Sequence, residues 1–303
     1  MTPSAQNPRL YRPCLDDVLW PPEARPFSQL PVPLLEALWN MDWTDAGYRL
    51  VHVLLGLSRQ AVEAARPAER DDVAREMRAP ASLVRAMMGD AAARDYRGLR
   101  AGIASVERAN VAEWLDFNAA TGWVEWRFNE DISCALLERP HTYALLDLRA
   151  HVRLRGVLPC LLHDVIRLNV RRRWPTFELH TAGMLHLIGR PDASWHEGSR
   201  RTLAALQRAC AVEGVACLVS QVRTAPRGGI DRLPMKVVHE GTAWSAAALG
   251  KAPAGTRSRL IVGPERIVRL TGGLARDARA IRALLEVQTG VRAPVPGQQR
   301  ASA

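Results

Sequence analysis

The sequence has little of what disulfide frameworks and metal clusters require. Its five cysteines stand far apart without a C-x-x-C pair, and an odd number argues against a disulfide framework. They are Cys14, Cys134, Cys160, Cys210 and Cys217. Cys160 and His163 have the spacing of half a metal site, but no second pair completes tetrahedral coordination. We therefore expect a reducing, cytoplasmic setting, no cofactor and no metal.

Long apolar runs are also missing. No stretch approaches the roughly 18 to 20 residues that span a bilayer. The segment Met1 to Leu10 is polar and lacks the apolar core of a signal peptide. The sequence therefore predicts a protein that is neither exported nor embedded in a membrane.

Two catalytic motifs are absent as well. No G-x-x-x-x-G-K-[ST] phosphate loop occurs, so we expect no ATPase activity from the chain itself. A metal-dependent rolling-circle nickase needs two histidines around one apolar residue, whereas His180 and His186 stand six positions apart. The sequence predicts no catalytic residues and a protein that is not an enzyme.

Positive charge is what the sequence has in excess. Lysine and arginine total 41 against 31 aspartates and glutamates, a net charge of +10. A folded surface with this charge attracts an acidic polymer, so nucleic acid is the first partner to consider. Only Lys236 and Lys251 are lysines, and nearly all of the charge is therefore guanidinium, which forks onto phosphates and guanine edges. A GC-rich gene also favours arginine, so the arginine bias alone adds little.

Proline content and apolar spacing divide the 303 residues into four segments. Residues 1–33 contain eight prolines, a spacing that prevents a helix from propagating and predicts an N-terminal arm. Residues 34–140 and 141–245 have apolar positions at helical spacing followed by β-rich pairs, and they predict two domains. Residues 246–303 are predicted to be a partly flexible C-terminal extension.

A short helix, a turn, a longer helix and a β-hairpin are predicted twice in this order. The ranges are 81–88, 91–110, 113–118 and 123–128 in the first domain, and 181–188, 195–212, 215–222 and 234–239 in the second. This order is typical of a winged helix, which commonly docks on duplex DNA. The predicted fold class is α+β and mostly helical, with two tandem winged-helix domains that carry short wing hairpins.

A basic segment is predicted between the two helix pairs. Residues 149–169 have the pattern of an amphipathic helix, and Arg171, Arg172 and Arg173 follow it. Between Arg149 and Arg173 there are seven arginines and one acid, Asp164, enough positive charge to neutralise several phosphates. The three consecutive arginines are predicted to bind the DNA backbone, although a solvated helix end favoured by the dipole explains them too.

The longer helix of the second domain has the stronger pattern for DNA contact. Ser194 and Glu197 form an S-x-x-E capping box that starts the helix at Trp195. Its apolar stripe is expected to face inward, which turns an arginine and glutamine face outward to pair with guanine and adenine. The predicted DNA-binding residues are Arg200, Arg201, Gln207 and Arg208, with Arg227 in the following loop.

The longer helix of the first domain has a similar face. Arg94, Arg97 and Arg100 lie on or beside its outer side and are predicted to bind DNA. Glu107 and Glu113 dilute this charge, so an interface with another protein is the alternative for this helix.

Residues 34–218 resemble the plasmid replication initiators that bind iterons, the Rep_3-like and TrfA-like proteins with tandem winged helices. The resemblance rests on the apolar and basic positions of four segments. These are ASLVRAMMGDAAARDYRGLRAGIASVERANV, WVEWRFNEDISCALLE, TYALLDLRAHVRLRGVLPCLLHDVIRL and TFELHTAGMLHLIG. A Tyr-containing segment that is common in those proteins is replaced here by CLLHDVI, which contains His163.

The resemblance implies a protein that binds direct repeats in the double-stranded DNA of a plasmid origin and helps to melt the adjacent duplex. It also implies recruitment of the host initiator and the replicative helicase, and repression of its own promoter by a homodimer. Two other functions stay open. One is a winged-helix transcriptional repressor without a part in replication, and the other is an arginine-rich assembly factor whose helices bind protein.

Overall fold

Helices and strands are mixed along the chain, and about half of the described residues are helical. A computed structural model of the protein describes residues 20–22, 24–93, 95–137, 143–170, 175–225, 228–238 and 252–270. By its internal contacts the chain divides into two units, residues 1–171 and residues 172–303. The predicted α+β class is confirmed at this level. Within the described ranges, no helix has both the length and the apolar character needed to cross a bilayer.

The first unit has five strands and eight α-helices among its described residues. In chain order they are β1 (Phe27–Pro31), α1 (Val32–Trp39), α2 (Asp45–Ala64), α3 (Arg70–Arg75), β2 (Glu76–Pro80), α4 (Ala81–Met87), α5 (Arg97–Arg108), β3 (Ala112–Asn118), β4 (Trp123–Phe128), α6 (Glu130–Leu137), β5 (Tyr143–Asp147), α7 (Leu148–Arg153) and α8 (Val157–Val170). Strand β1 pairs antiparallel with β5. A second antiparallel sheet has the order β2-β4-β3.

Helix α2 is central to the core of the first unit. Its first turn is capped by Thr44, whose Oγ1 accepts a hydrogen bond from the backbone N–H of Gly47 at 3.1 Å. Helix α5 packs so closely against this turn that a Cβ on Gly47 would lie 2.4 Å from the Cβ of Ser105. Further along α2, the hydroxyl of Ser58 accepts a hydrogen bond from the indole N–H of Trp126 at 3.1 Å. Helix α2 thus packs against both α5 and the three-stranded sheet.

Strand β5 and helices α7 and α8 make their contacts in the first unit, although the sequence analysis assigns residues 141–170 to the second domain. Strand β5 pairs with β1 from Phe27 opposite Asp147 to Pro31 opposite Tyr143. Helix α8 is joined to α2 by a hydrogen bond between residues 116 positions apart in the chain. Local sequence patterns do not record contacts over such separations.

The second unit has two helices and five strands among its described residues. They are β6 (Thr176–His180), α9 (Thr181–Leu187), α10 (Trp195–Glu213), β7 (Ala216–Val222), β8 (Arg232–Val238), β9 (Thr256–Val262) and β10 (Ile267–Leu270). The strands form one antiparallel sheet with the order β10-β9-β7-β8-β6. Strand β7 is central and largely buried, as expected for a strand with a neighbour on each side. A hydrophobic cluster joins the strands through Ala216, Leu218, Val238, Ile261 and Leu270.

The two units share one local arrangement. Strand β2 and helix α4 have counterparts of equal length in β6 and α9, each 100 positions further along the chain. A second helix and a hairpin follow in both units. The strand before the helices pairs with the last strand of the hairpin, β2 with β4 and β6 with β8, and the two hairpin strands pair with each other. The repeated order of elements predicted from the sequence is therefore present in the structure.

The turn between the two helices is the same in both units. Gly89 has φ of 84° and Gly189 has φ of 70°, in the left-handed region that residues with a Cβ seldom adopt. The residue after each glycine donates its backbone N–H to the carbonyl five positions earlier, at 2.8 Å in both turns. This hydrogen bond closes the end of the short helix and redirects the chain toward the longer one.

The N-terminal arm is shorter than predicted. Phe27–Pro31 forms strand β1 because β5 supplies a partner that the proline pattern does not reveal. Helix α1 begins at Val32 even though Pro33 lies in its first turn, where a missing N–H costs no hydrogen bond. The part of the arm before residue 20 and the part of the predicted C-terminal extension after residue 270 lie outside the described residues.

Two predicted helices have different limits in the structure. Helix α5 begins at Arg97 instead of residue 91, and the carboxylate of Asp95 accepts the backbone N–H of Arg97 at 3.1 Å. The helix predicted over 149–169 is broken into α7 and α8 at Gly156, which has φ of 103°. Every residue of α8 is buried, so this helix has no solvated face and is not amphipathic in its surroundings.

Replacing Gly47 by alanine is expected to destabilise the protein by about 1 to 3 kcal/mol, because the added Cβ forces α2 and α5 apart. Gly183→Ala is the matched control. Gly183 is an exposed residue of α9 with open space around its missing Cβ, and alanine is expected to stabilise it by up to about 1 kcal/mol. Urea unfolding followed by circular dichroism measures both changes. Equal unfolding midpoints for the two variants would contradict the close contact.

Candidate nucleic-acid interface

Helix α10 carries a strip of exposed side chains that is rich in arginine. The strip consists of Arg200, Arg201, Ala204 and Arg208, and the exposed Glu197 lies on the same side of the helix one turn before Arg201. At about 100° per residue these positions fall within an arc of roughly 100° on one side of the helix. The opposite side is buried and includes Trp195, Leu206 and Cys210. Among the residues that the structure describes, the three arginine side chains make no hydrogen bond or ion pair.

The start of α10 is held by the predicted capping box. The backbone N–H of Ser194 donates to Oε2 of Glu197 at 2.8 Å, and the Ser194 hydroxyl donates to the same oxygen at 2.7 Å. These hydrogen bonds hold the pKa of Glu197 below its ordinary value. The helix ends at Gly214, which has φ of 61°. The exposed arginines therefore lie on a helix whose two ends are both fixed by local structure.

Gln207 differs from the prediction that it points outward. It is half-buried at the side of the strip, and its Nε2 donates to the carbonyl oxygen of Pro264 at 3.2 Å. Pro264 lies in the turn between β9 and β10, whose position beside α10 cannot be derived from helical spacing. The proposed pairing of Gln207 with adenine stays a prediction.

Helix α5 carries a similar exposed strip. It consists of Arg97, Arg100, Ala101, Ala104 and Arg108. Both helices thus share an arginine, an alanine and an arginine at positions i, i+4 and i+8, as in Arg100, Ala104 and Arg108. Arg108 was not among the predicted DNA-binding residues, although its helical spacing from Arg100 indicates that it lies on the same face.

The charges of the α5 strip are partly engaged within the unit. The Nε of Arg97 donates to Asp95 at 2.6 Å, and hydrogen bonds from the backbone and side chain of Arg97 hold the pKa of Asp95 below its ordinary value. The guanidinium of Arg100 lies 6.0 Å from the ring centroid of Phe117. Glu107 is exposed on the same side of the helix. Helix α5 therefore offers less uncompensated positive charge than α10.

Ion pairs connect each hairpin to the strand before the helices. In the first unit Arg127 of β4 bonds Glu76 of β2, and this hydrogen bond raises the pKa of Arg127. In the second unit Arg232 of β8 lies 3.3 Å from Glu178 of β6. These pairs are exposed and add little stability, but they neutralise basic side chains at the strand surface. Arg127 and Arg232 are therefore less available to an acidic partner than the exposed arginines of α10.

Most of the other arginines of the sequence prediction that bear on DNA binding are either outside the described residues or buried. Arg94, Arg171, Arg172, Arg173 and Arg227 lie outside the described residues. Arg149 and Arg167, which the sequence analysis counted toward the basic segment, are both buried. Arg149 binds Asp147 through Nε at 3.0 Å, and Arg167 donates to a backbone carbonyl at 3.1 Å. These two buried arginines cannot reach phosphates, so the predicted phosphate-binding capacity of this segment is too high.

A buried polar cluster in the first unit was not predicted. The carboxylate of Asp164 on α8 accepts a hydrogen bond from the hydroxyl of Tyr48 at 2.7 Å. Nε2 of His151 and Nδ1 of His163 lie 2.7 Å and 3.0 Å from its Oδ1. Nε2 of His52 lies 3.5 Å from its Oδ2. Tyr48 and His52 are four positions apart, so both lie on one side of α2. Their partners are too distant in sequence to be identified from the sequence pattern.

The cluster alters the ionisation of its members. Burial opposes the charge on Asp164, yet the nearby His151 and His52 and the hydrogen bonds from His151 and His163 hold its pKa below the ordinary value. Burial lowers the pKa of His52 to about 3. Burial and the adjacent Asp164 raise the pKa of Tyr48 well above its ordinary value. Asp164 is therefore an ionised group in the core, surrounded by imidazoles and a hydroxyl.

Both units therefore have the same helix-and-hairpin arrangement, with arginines exposed on the longer helix. The chain is similar to the crystal structure of a Pi initiator protein in complex with iteron DNA, with a TM-score of 0.51 and 15% sequence identity. The match covers 71% of this chain and 98% of the other chain. At this identity the likeness concerns the fold alone. No protein-family model and no curated protein sequence matches the chain.

Acid is expected to destabilise the first unit from about pH 6.5 downward. The folded pKa of His52, about 3, lies below its unfolded value of 6.5, so unfolding takes up a proton in this range. The stability from neutral His52 is fully present above pH 6.5 and decreases as pH falls toward 3, by up to about 1.4 kcal/mol per pH unit. Asp164, whose pKa is also lowered, adds a loss in the same direction at lower pH.

Urea unfolding at about pH 7.5, 6.5, 5.5 and 4.5, in buffers with a chelator, measures this slope. We expect His52→Gln to flatten the pH dependence, whereas His196→Gln, at an exposed position of α10, leaves it unchanged. The same slope in wild type and His52→Gln would show that His52 does not titrate as described.

Proposed function

We propose that the protein binds specific double-stranded DNA through two tandem winged helices and acts as a plasmid replication initiator at repeated origin sites. The observation that carries the proposal is the repetition of strand, short helix, longer helix and hairpin, with exposed arginines on each longer helix. In a winged helix the longer helix enters the major groove and the hairpin forms the wing.

The spacing of the exposed side chains suits a major groove. Arg200 and Arg208 are eight positions apart, which is about 12 Å along the helix axis. The small side chain of Ala204 between them allows the helix backbone to approach the base edges. Arginine pairs bidentately with guanine, and each good pair contributes roughly 1 to 3 kcal/mol of discrimination. Helix α10 is therefore proposed as the main source of base contacts.

Helix α5 is proposed to contribute affinity more than sequence recognition. Its Arg97 is bonded to Asp95, which leaves less positive charge available for DNA. The same lower charge supports the alternative, in which α5 forms an interface with another protein. The net charge of +10 supports attraction to DNA over the whole chain. Arg171, Arg172 and Arg173 are proposed to bind phosphates without contacting bases.

The initiator role is supported by the fold neighbour. That neighbour is an initiator protein solved with iteron DNA, and nearly its whole chain has a counterpart here. By this likeness we propose that the protein binds origin repeats, promotes opening of the adjacent duplex and recruits the host initiator and helicase. We further propose that it catalyses no reaction and that it acts in the cytoplasm.

Arg201→Ala and Arg208→Ala are each expected to weaken binding to the specific duplex by roughly 5- to 150-fold and to relax sequence preference. Arg172→Ala is expected to weaken binding to all duplexes alike and to reduce the salt dependence by about one unit of slope. Fluorescence anisotropy measures these effects, with a specific duplex first selected from a random-sequence pool by the wild-type protein and a scrambled duplex for comparison.

Arg25→Ala is the charge-matched control, because it removes one positive charge from a residue outside both longer helices. Arg25 is paired with Glu63, and their side-chain nitrogen and oxygen atoms are 3.6 Å apart. We expect the affinity of this variant to remain within about twofold of wild type. Unchanged binding in all three interface variants would refute the assignment of the DNA-binding surface.

Supplying the gene in trans to a plasmid that carries only the origin separates initiation from repression. An initiator is expected to establish the plasmid, and Arg201→Ala together with Arg208→Ala is expected to abolish establishment. A protein that represses its promoter but fails to establish the plasmid is a transcriptional repressor. A protein with no salt-dependent affinity for duplex DNA would instead indicate a protein-assembly factor.

A further inference from the structure

We propose that His52, His151 and Asp164 form a structural binding site for one divalent transition-metal ion of the zinc type, in the core of the first unit. One ligand atom from each residue lies within 4.8 Å of the others, and all three residues are buried. Two imidazoles and a carboxylate are a donor set that zinc binds in proteins. This inference is independent of the proposed DNA-binding function.

The surroundings of His52 are the observation that points to an ion. Its side chain is 1% exposed, yet neither ring nitrogen has a hydrogen-bond partner within the described part of the chain. Buried polar groups are normally satisfied, so this imidazole lacks something in its surroundings. Its Nε2 points toward the carboxylate of Asp164, and a bound ion between the two groups would use the lone pair of that nitrogen.

The distances suit a shared ion. Nε2 of His52 and Oδ2 of Asp164 are 3.5 Å apart, which is long for a hydrogen bond. Two ligands of one tetrahedral zinc ion, each bonded at about 2.0 to 2.1 Å, lie about 3.3 to 3.4 Å from each other.

His151 supplies the second imidazole. Its Nε2 lies 2.7 Å from Oδ1 of Asp164, a hydrogen bond whose proton an entering ion would replace. His163 also contacts the carboxylate, with its Nδ1 3.0 Å from Oδ1, and it offers a fourth ligand without water. A site closed by four protein ligands is structural, since it keeps no open position for a substrate.

Such an ion would join helix α2 to α7 and α8, two consecutive helices that are distant from α2 in sequence. His52 lies on α2, His151 on α7 and Asp164 on α8. Because the ligands meet only in the folded unit, the binding free energy of the ion becomes folding free energy. The site would therefore fix the helix on which α5 packs.

The test uses the full chain, purified without metal-affinity resin, unfolded with a chelator and refolded with Zn²⁺, with Co²⁺ or without metal. We expect about one ion per chain after desalting and a higher Tm than for the metal-free sample. His52→Gln is expected to lose the ion and the shift in Tm. His196→Gln, which removes an exposed histidine of α10, is expected to keep both.

His52→Cys distinguishes a ligand from a residue that only supports the fold. With Co²⁺, this variant is expected to show a near-ultraviolet thiolate-to-cobalt charge-transfer band that is absent from wild type, because position 52 would then contact the ion through sulfur. Folded wild-type protein that retains no ion would overturn the proposal and leave a hydrogen-bonded network. Retention by His52→Gln, or cobalt binding by His52→Cys without the new band, would overturn it equally.

Discussion

The strand before each pair of helices is held against the last strand of the following hairpin, and the orientation of the arginine faces depends on this pairing. The first residue of each short helix is joined to the same hairpin. Ala81 donates its backbone N–H to the carbonyl of Gly122 at 2.8 Å, and Thr181 donates to Asp231 at 3.0 Å. With the short helix anchored and the glycine turn closing it, the longer helix has little freedom to rotate. Its apolar side is buried and its arginines remain in solvent.

The two units repeat the same arrangement of elements, but the arginines of their longer helices have different surroundings. Both longer helices present arginines at the same spacing, but α5 engages Arg97 with Asp95 and places Arg100 near an aromatic ring. Arg200 and Arg208 of α10 have no such side-chain partners among the described residues. Since a guanidinium already bonded to a carboxylate must lose that bond to contact another group, the arginines of α10 are more available for contact than Arg97 of α5.

Helix α2 connects the basic surface of the first unit to its polar core. Near its start, Gly47 allows α5 to approach closely. The next residue, Tyr48, and His52 about one turn beyond it both face Asp164. A buried carboxylate is costly unless it is compensated, so the groups around Asp164 constrain the relative positions of α2, α7 and α8. The arginine strip of α5 therefore rests on a helix whose own position depends on buried electrostatics.

The sequence by itself determined the repeated order of helices, turns and hairpins, the start of α10 at the capping box and the excess of arginine. These features are local, because capping, left-handed glycines and apolar periodicity act over a few residues. Only the tertiary structure decided that Gln207 bonds Pro264, that Arg149 and Arg167 are buried, and that His52 meets Asp164. Each of these depends on packing between separate elements of the fold, and a pattern along one helix contains no information about what packs against it.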